Sequence, residues 1–550
     1  MENQQDTLKD KLILGIDLGT TNSGISLWSE ELQQVEILRD KDDKVLTPSL
    51  VGWNRTNQTW VVGHETGNLS QQHPNDVVYS IKRYIGRAFE DHNVKSDRGY
   101  LAYKLIPCIG ENKQNEVAVD FGIHNGKPLE VSAPEISAKV LTKLCQDAAS
   151  RLSIPIQEIK NTVITVPAYF NVPQREATKL AGKLAGLEDV RILNEPTAAA
   201  LSYRNTVLEK YSECRILVYD LGGGTFDISL LEFERDASGY AFYTQAVDGD
   251  TRLGGDDIDQ KVTHYLAEEL EQRYGFSVNP KNNQSTWNKL RQKAEEAKIK
   301  LSTSEVVVID LRSLDFGHSP NLDIQIELTR EQLEKCASEV IQRTIDISKR
   351  AVEDVAQLIW KDIDEVILVG WQTKMPVIQR KIEELTGRKP IVSKYPQLSV
   401  ALGAGEFAHI LSLGQDKFQD NALIDAIALP LGIALDDDTF EVLIDANKTL
   451  PHKSKPFAVT TTEDNQTSIS VEVLQGPRGA TKKSECVSLG SLEMNVLPAP
   501  KGIPKFDVVL QAQSDGTMYV EVTDTRTGKT EKKDLNEPKK EKVKINWQTT

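Results

Sequence analysis

With 550 residues, 39% apolar and 27% charged, and with 34 Gly and 22 Pro spread along the chain, the sequence is too long for one small domain and too apolar for a disordered or collagenous chain. The 65 Lys and Arg stand against 81 Asp and Glu, a net charge of −16, which argues against nucleic acid and anionic membrane as partners. The five cysteines (Cys108, Cys145, Cys214, Cys336, Cys486) are odd in number and never in a CxxC pair, so neither a disulfide framework nor a thiolate zinc site is expected. Met1 to Asp10 is polar, and the longest apolar run, Ala426 to Leu435, is broken by Pro430 and Gly432. Neither a signal peptide nor a membrane span is expected, and the expected location is the cytoplasm.

From Lys11 to about Leu413, short β-branched runs alternate with longer helical patterns, the mark of an α/β fold. The first strand, in ILGIDLGTTNS (13 to 23), runs into Asp-Leu-Gly and then Thr. NTVITV (161 to 166) reads as a strand, and a helix should follow from about Pro173 to Ala185, capped by Asn171 and stopped by Gly186. LVYDLGGGTFDIS (217 to 229) then repeats the grammar of the first loop. A long helix is expected from about Arg330 to Leu358, opened by a Thr329 and Gln332 capping box and carrying Leu333, Val340, Ile341, Val352 and Val355 on one face.

After Asp416 the helical period gives way to alternation, as in Ile469, Val471 and Val473, and an antiparallel β domain is expected over 429–525. Its best hairpin joins Phe506 to Ala512 with Met518 to Val522, where Asp515-Gly516 suits a type I′ turn. Between the two parts, residues 416–428 include DNALIDAIA (420 to 428), which reads equally as a core strand or as a linker that docks and undocks. Residues 526–550, rich in Lys and Glu, read as a solvated tail.

The paired loops carry the chemistry. A phosphate needs close approach by backbone N–H donors, which glycine permits because it has no Cβ. A carboxylate at a strand end can hold Mg²⁺ through its water shell. Two such loops imply the two halves of a duplicated α/β unit closing on one nucleotide.

Five further runs extend the pattern: VVYSIKRYIGR (77 to 87), VITVPAYFNVPQREATKLAGKLAGL (163 to 187), RILNEPTAAALSY (191 to 203), GDTRLGGDDID (249 to 259) and DIDEVILVGWQTKMP (362 to 376). With the two loops they resemble the seventy-kilodalton heat-shock chaperone family of the DnaK type, over about residues 11 to 525. EDNQTSISVEVLQG (463 to 476) looks like that family's peptide-binding sandwich. The resemblance implies a two-lobed, actin-like ATPase over 1–415, a linker over 416–428, a β-sandwich over 429–525 and a charged tail over 526–550.

It further implies that Gly19, Thr20, Thr21 and Asn22 wrap the phosphates, with Gly222, Gly223, Gly224 and Thr225 facing them. Asp17 and Asp220 would orient Mg²⁺ through water. Lys82, which alone would read as a surface lysine, matches the lysine at the γ-phosphate, and Glu195 and Asp227 match acids near the attacking water. Such a set suits phosphoryl transfer, which needs positioning and charge stabilisation more than a strong base. Glu295, Lys298 and Ser302, on one helical face, would hold the adenosine, with Ile299 against the base. Gly370 and Lys374 would close over its other side. Trp371 replaces a family glycine there, and its indole either stacks on the base or crowds it. Gln397-Leu398 likewise replaces an acidic pair.

Pro167 and Arg175 match positions that relay between the domains, Leu423 and Ile424 lie in the linker, and Arg191 sits where J-domain co-chaperones engage. Ile433, Val459, Ile469 and Val471 match the apolar peptide cleft, and the acidic run from Asp436 stands where relatives arch over the peptide. The family's helical lid is not expected, since only about 25 residues follow Thr525. The implied function is ATP-dependent chaperoning of unfolded polypeptides in the stress response, with ATP or ADP and Mg²⁺ as ligands and with co-chaperones and a nucleotide-exchange factor as partners. Two rivals are an actin-like sugar kinase and a module that holds ATP with little turnover.

Overall fold

The computed structural model describes residues 12–536 apart from 109–115, 236–238, 317–323, 415–420 and positions 282, 313, 315, 394, 436 and 515. Asp436 and most of the expected tail lie outside the described residues.

Two six-stranded sheets organise residues 13–424. In the first, β1 (Ile13–Asp17), β2 (Asn22–Ser29) and β3 (Gln34–Ile37) form an antiparallel meander, and β4 (Asn161–Val166) and β5 (Asp189–Asn194) add on parallel to β1. The second sheet repeats the pattern. Its meander is β6 (Glu213–Leu221), β7 (Phe226–Arg235) and β8 (Tyr240–Asp250), and its parallel additions are β9 (Glu365–Val369) and β10 (Ile391–Val392). Each Asp-Leu-Gly loop is therefore the first turn of a meander, and the internal repeat read from two short motifs extends to whole sheets.

Helices α1 (Ala133–Leu152) and α2 (Val172–Leu184) cover the first sheet, while α4 (Gly255–Tyr274), α5 (Gln284–Leu301), α6 (Arg330–Lys349) and α7 (Pro376–Thr386) cover the second. A third apolar cluster joins the halves through α3 (Glu195–Ser202) and α8 (Ser399–Ser412). Helix α2 starts one residue earlier than expected, and Asn171 and Gln174 exchange the two hydrogen bonds of a capping box at 3.0 and 3.2 Å.

The long helix expected to Leu358 is corrected. Regular α-helix stops at Lys349 and a π-helical turn, Arg350–Val355, replaces its end. Arg350 there reaches off the helix to Asp248, donating from Nε at 2.6 Å and from Nη2 at 3.0 Å. No periodicity of the helix itself announces that distant partner.

Segment β11 (Asn421–Ile424) forms the sixth strand of the second sheet, parallel to β8, with Tyr240 opposite Asn421 and Tyr243 opposite Ile424. Beyond it stands a two-layer β unit. One layer orders β13 (Phe440–Ile444), β12 (Leu431–Ala434), β16 (Ser468–Gln475) and β17 (Val487–Asn495). The other orders β14 (His452–Lys453), β18 (Lys505–Ala512), β19 (Met518–Asp524) and β20 (Thr530–Asp534), with β15 (Phe457–Thr460) also on β18.

Two sequence expectations are corrected in this unit. The β18–β19 hairpin closes through a three-residue loop with Gly516 at φ +81°, because Gln513 pairs with Thr517, and so it is not the two-residue turn expected. Residues 530–534, expected in a solvated tail, form an edge strand on β19. Charged residues are what an exposed edge strand favours, so composition concealed it. Among the described residues, no helix is long and apolar enough to cross a membrane.

The halves meet where α8 crosses α3 and β1 at close range. A Cβ on Gly403 would lie 1.6 Å from the Ala198 carbonyl oxygen. Gly403→Ala should therefore lower stability by about 3 kcal/mol or more, measured by thermal or urea unfolding. Gly67→Ala, where an added methyl meets nothing within 4 Å, should leave stability unchanged or slightly raised.

Candidate functional site

The carboxyl ends of β1 and β6 deliver Asp17 and Asp220 to one cleft between the halves. Gly19, Thr20, Thr21 and Asn22 line it from one loop, and Gly222, Gly223 and Thr225 from the other. The loops touch: a Cβ on Gly223 would fall 2.0 Å from the Thr21 hydroxyl oxygen, so only glycine fits. Gly224 instead packs on Thr20 and Arg83.

Lys82 and Glu195 also line the cleft, both nearly buried and joined by an Nζ to Oε1 hydrogen bond of 2.5 Å. The turn that carries Lys82 is clamped across the cleft. Ser80, in the left-handed region at φ 52°, donates to Asp256 at 2.6 Å, and Arg83 donates to Asp257 at 2.7 Å. The start of α4 is fixed in turn, because the Asp256 N–H donates to the Gly223 carbonyl at 2.7 Å.

Acidic side chains outnumber basic ones around Lys82. Burial, reinforced by Glu195, pushes the Asp17 carboxyl up to about 7, while Lys82 and a 3.1 Å hydrogen bond from Thr165 oppose the rise. Burial and then Glu195 push Asp227 up to about 8, against the pull of the Tyr169 N–H and Lys82. Asp220 is raised well above the carboxylate range by burial and by Glu195, Asp227 and Asp17. Such a cluster suits a hard dication. Among the described residues no three His, Cys, Asp or Glu are gathered closely enough to chelate a metal. Asp17 and Asp220 are the carboxylates that would hold such an ion.

The other expected residues fall nearby with mixed roles. Gly370, at φ +82°, ends β9 so close to the second loop that a Cβ would lie 2.3 Å from the Leu221 carbonyl oxygen. Trp371 lines the cleft, and the Lys374 ammonium sits 4.3 Å from its ring centroid. Gln397 lines the cleft and Leu398 is buried. On α5, Glu295 is half-buried and Ile299 is exposed, and Ser302, the residue that caps its end, is half-buried. Lys298 is buried in an ion pair with Asp259 at 2.8 Å and donates to the Gly255 carbonyl at 3.2 Å. Its charge is thereby committed to α4.

A second group surrounds β11. Pro167 is buried at the end of β4, and Arg175 donates to the Ala168 and Phe170 carbonyls and to Asn194. Arg175 shares a cavity with Asp425, whose Oδ1 accepts from Thr197 and Thr244 at 3.0 Å each. Leu423 and Ile424 are half-buried, and Arg191, ion-paired with Asp189, lies with them along one groove. Ile433, Ile469 and Val471 are buried, and with half-buried Val459 they pack in the interior of the β unit.

Sequence reading missed the polar contacts that hold the β unit on the rest. Gln475 accepts from the Val172 N–H at 2.9 Å, and Asn447 accepts from the Val247 N–H at 2.8 Å. Arg478 donates to the Val247 carbonyl and comes within 3.8 Å of Asp248, the fully buried carboxylate that also takes Arg350. Each pair joins residues far apart in the chain, so no local pattern marks it.

A raised acid makes the fold more stable at low pH. In the folded chain Asp227 holds its proton up to about 8, whereas the unfolded chain releases it near 3.8. The folded state then binds more protons between these values, and stability falls as pH rises. With no ligand added, the melting temperature should drop between about pH 5 and about pH 8, and Asp227→Asn should flatten the slope. An unchanged slope would place the titration elsewhere.

Comparison with known families matches the chain to the Hsp70 protein family over residues 13–545. That span takes in both sheets, the cleft between them, β11 and the whole described β unit. The chain belongs to the Hsp70 family of seventy-kilodalton heat-shock proteins.

Proposed function

We propose that this chain is an ATP-driven chaperone, in which an actin-like ATPase of residues 1–415 controls a peptide-binding sandwich through the linker 416–428. At family level, Hsp70 proteins are ATPases that bind unfolded polypeptides and work with co-chaperones. The observation that carries the reading for this chain is the pair of Asp-Leu-Gly loops facing each other over the buried Lys82–Glu195 pair. A sugar kinase has no use for the β unit beyond β11.

In this reading the loop N–H groups and the Thr20, Thr21 and Thr225 hydroxyls bind the phosphates. Glu195 holds the Lys82 ammonium where negative charge grows on the transferred phosphoryl group, and Asp227 orients the attacking water. Asp17 and Asp220 would hold Mg²⁺, which supplies charge neutralisation on the phosphate oxygens. Glu295 and Ser302 would reach the ribose. The sandwich takes extended apolar segments against Ile433, Val459, Ile469 and Val471. Because Ile433, Ile469 and Val471 are buried, a peptide must open the unit to reach them. Arg191 and the groove beside β11 would engage a J-domain partner. A module that holds ATP with little turnover is the second reading, favoured by Trp371 at the cleft wall.

Hydrolysis measured with and without an unfolded peptide separates these readings. Lys82→Ala should lower single-turnover hydrolysis by about 10² to 10³ while nucleotide still binds. A rate within a few fold of the parent would remove Lys82 from the chemistry.

Replacing Leu423 and Ile424 together with Asp places charge where β11 packs on the sheet and should prevent docking. ATP should then no longer speed release of a bound apolar peptide, read by stopped flow. If acceleration persists, the segment is only a tether.

A further inference from the structure

Helix α1 carries two lysines one turn apart in different surroundings. Lys143 is ion-paired with Asp147 at 2.7 Å, four residues on along the same helix. Lys139 lies instead over the Trp60 ring, with its ammonium 4.1 Å from the centroid, and among the described residues no oxygen accepts a hydrogen bond from it. The nearest acid along the helix, Glu135, is committed to the helix start, where it accepts from the Ser132 N–H at 2.8 Å and from the Ser132 hydroxyl at 2.5 Å. Trp60 itself, on the strand Thr59–Val62, is held by other rings. Trp53 lies 4.9 Å from it between centroids, and Phe121 meets it edge-on at 5.0 Å and 86°. These rings replace water around an amine that is still only half-buried, so a small reagent can reach it. Burial pushes Lys139 down to about 8, with Glu135 acting weakly the other way. The neutral amine is the nucleophilic form of lysine, and a desolvated site holds more of it near neutral pH than an exposed one. Acylation also removes the charge that burial penalises, so the product suits the aromatic surface better than the ammonium does.

We propose that Lys139 is a modification site, whose amine, held against Trp60, takes an acyl group from an acyl thioester. The unprotonated Nζ attacks the thioester carbonyl carbon. A C–N bond forms as the C–S bond breaks, the sulfur leaves as thiolate, and the proton lost from nitrogen goes to water. Lys139 does not line the nucleotide cleft, and the step is independent of the nucleotide reading.

Treating the full chain near neutral pH with a small acetyl thioester, S-acetyl-N-acetylcysteamine, and following each lysine by peptide mass spectrometry tests it. Lys139 should be acetylated at least about tenfold faster than Lys143, because the gain in free amine outweighs its lower basicity. Trp60→Ala, which lets water onto the amine, should bring Lys139 down towards the Lys143 rate. The chain acetylated at Lys139 should melt no lower than the parent. A Lys139 rate no greater than that of Lys143 in the parent chain overturns the proposal, and so does an unchanged rate in a folded Trp60→Ala chain. A clear drop in melting temperature on acetylation also overturns it, since the site then rejects the product. Where Trp60→Ala does not fold, the comparison of the two lysines in the parent chain decides alone.

Discussion

A strand at the edge of a sheet exposes unpaired backbone groups that must be covered, and β11 covers the outer edge of β8. On its inner side β8 pairs with β7, setting Gly249 opposite Asp227 at the cleft. On its outer side it takes β11, the segment that leads into the β unit. Farther along, its Val247 and Asp248 receive Asn447 and Arg478 from that unit. One strand thus touches the candidate reaction site, β11 and the β unit.

The contacts around β8 are polar and few, which suits an interface that forms and breaks. Asp248 is completely buried with two arginines on it, and burying a carboxylate is tolerated only while such partners remain. If the β unit departs, Arg478 leaves and Arg350 keeps the carboxylate satisfied from the π-helical turn. A small apolar patch of Ala168, Val247, Ala428 and Leu429 adds the water-excluding part of the contact. The cleft has the opposite balance. Asp17, Glu195 and Asp220 line it beside Lys82, and burial holds the Asp17 and Asp220 carboxyls above the usual carboxylate range.

Features written within a short stretch of chain were legible from the sequence. The two Asp-Leu-Gly loops, the Asn171 and Thr329 caps and the alternation at Ile469 to Val473 each place their cause within a few residues of their effect. Features whose cause lies far along the chain were not. The early end of α6 goes with the reach of Arg350 to Asp248, and β20 exists because β19 has an open edge. Lys298 shows the limit at the site, since helical spacing could place it on a face with Glu295 and Ser302 but could not reveal that Asp259 holds it. The segment at 421–424 read equally as strand or linker, and in the structure it pairs as a strand with β8 while Leu423 packs against the core that joins the halves.

The central claim is that nucleotide in the cleft governs whether β11 covers β8. Hydrogen exchange at the backbone amides of residues 421–424 reports that pairing directly, because the amides bonded in the sheet exchange only when it opens. The account predicts that these amides are protected with Mg²⁺ and ATP on a hydrolysis-deficient Lys82→Ala chain, and exchange at least about tenfold faster with ADP and a bound apolar peptide. Equal protection in the two states would show that β11 is a permanent strand of the sheet and would contradict the account.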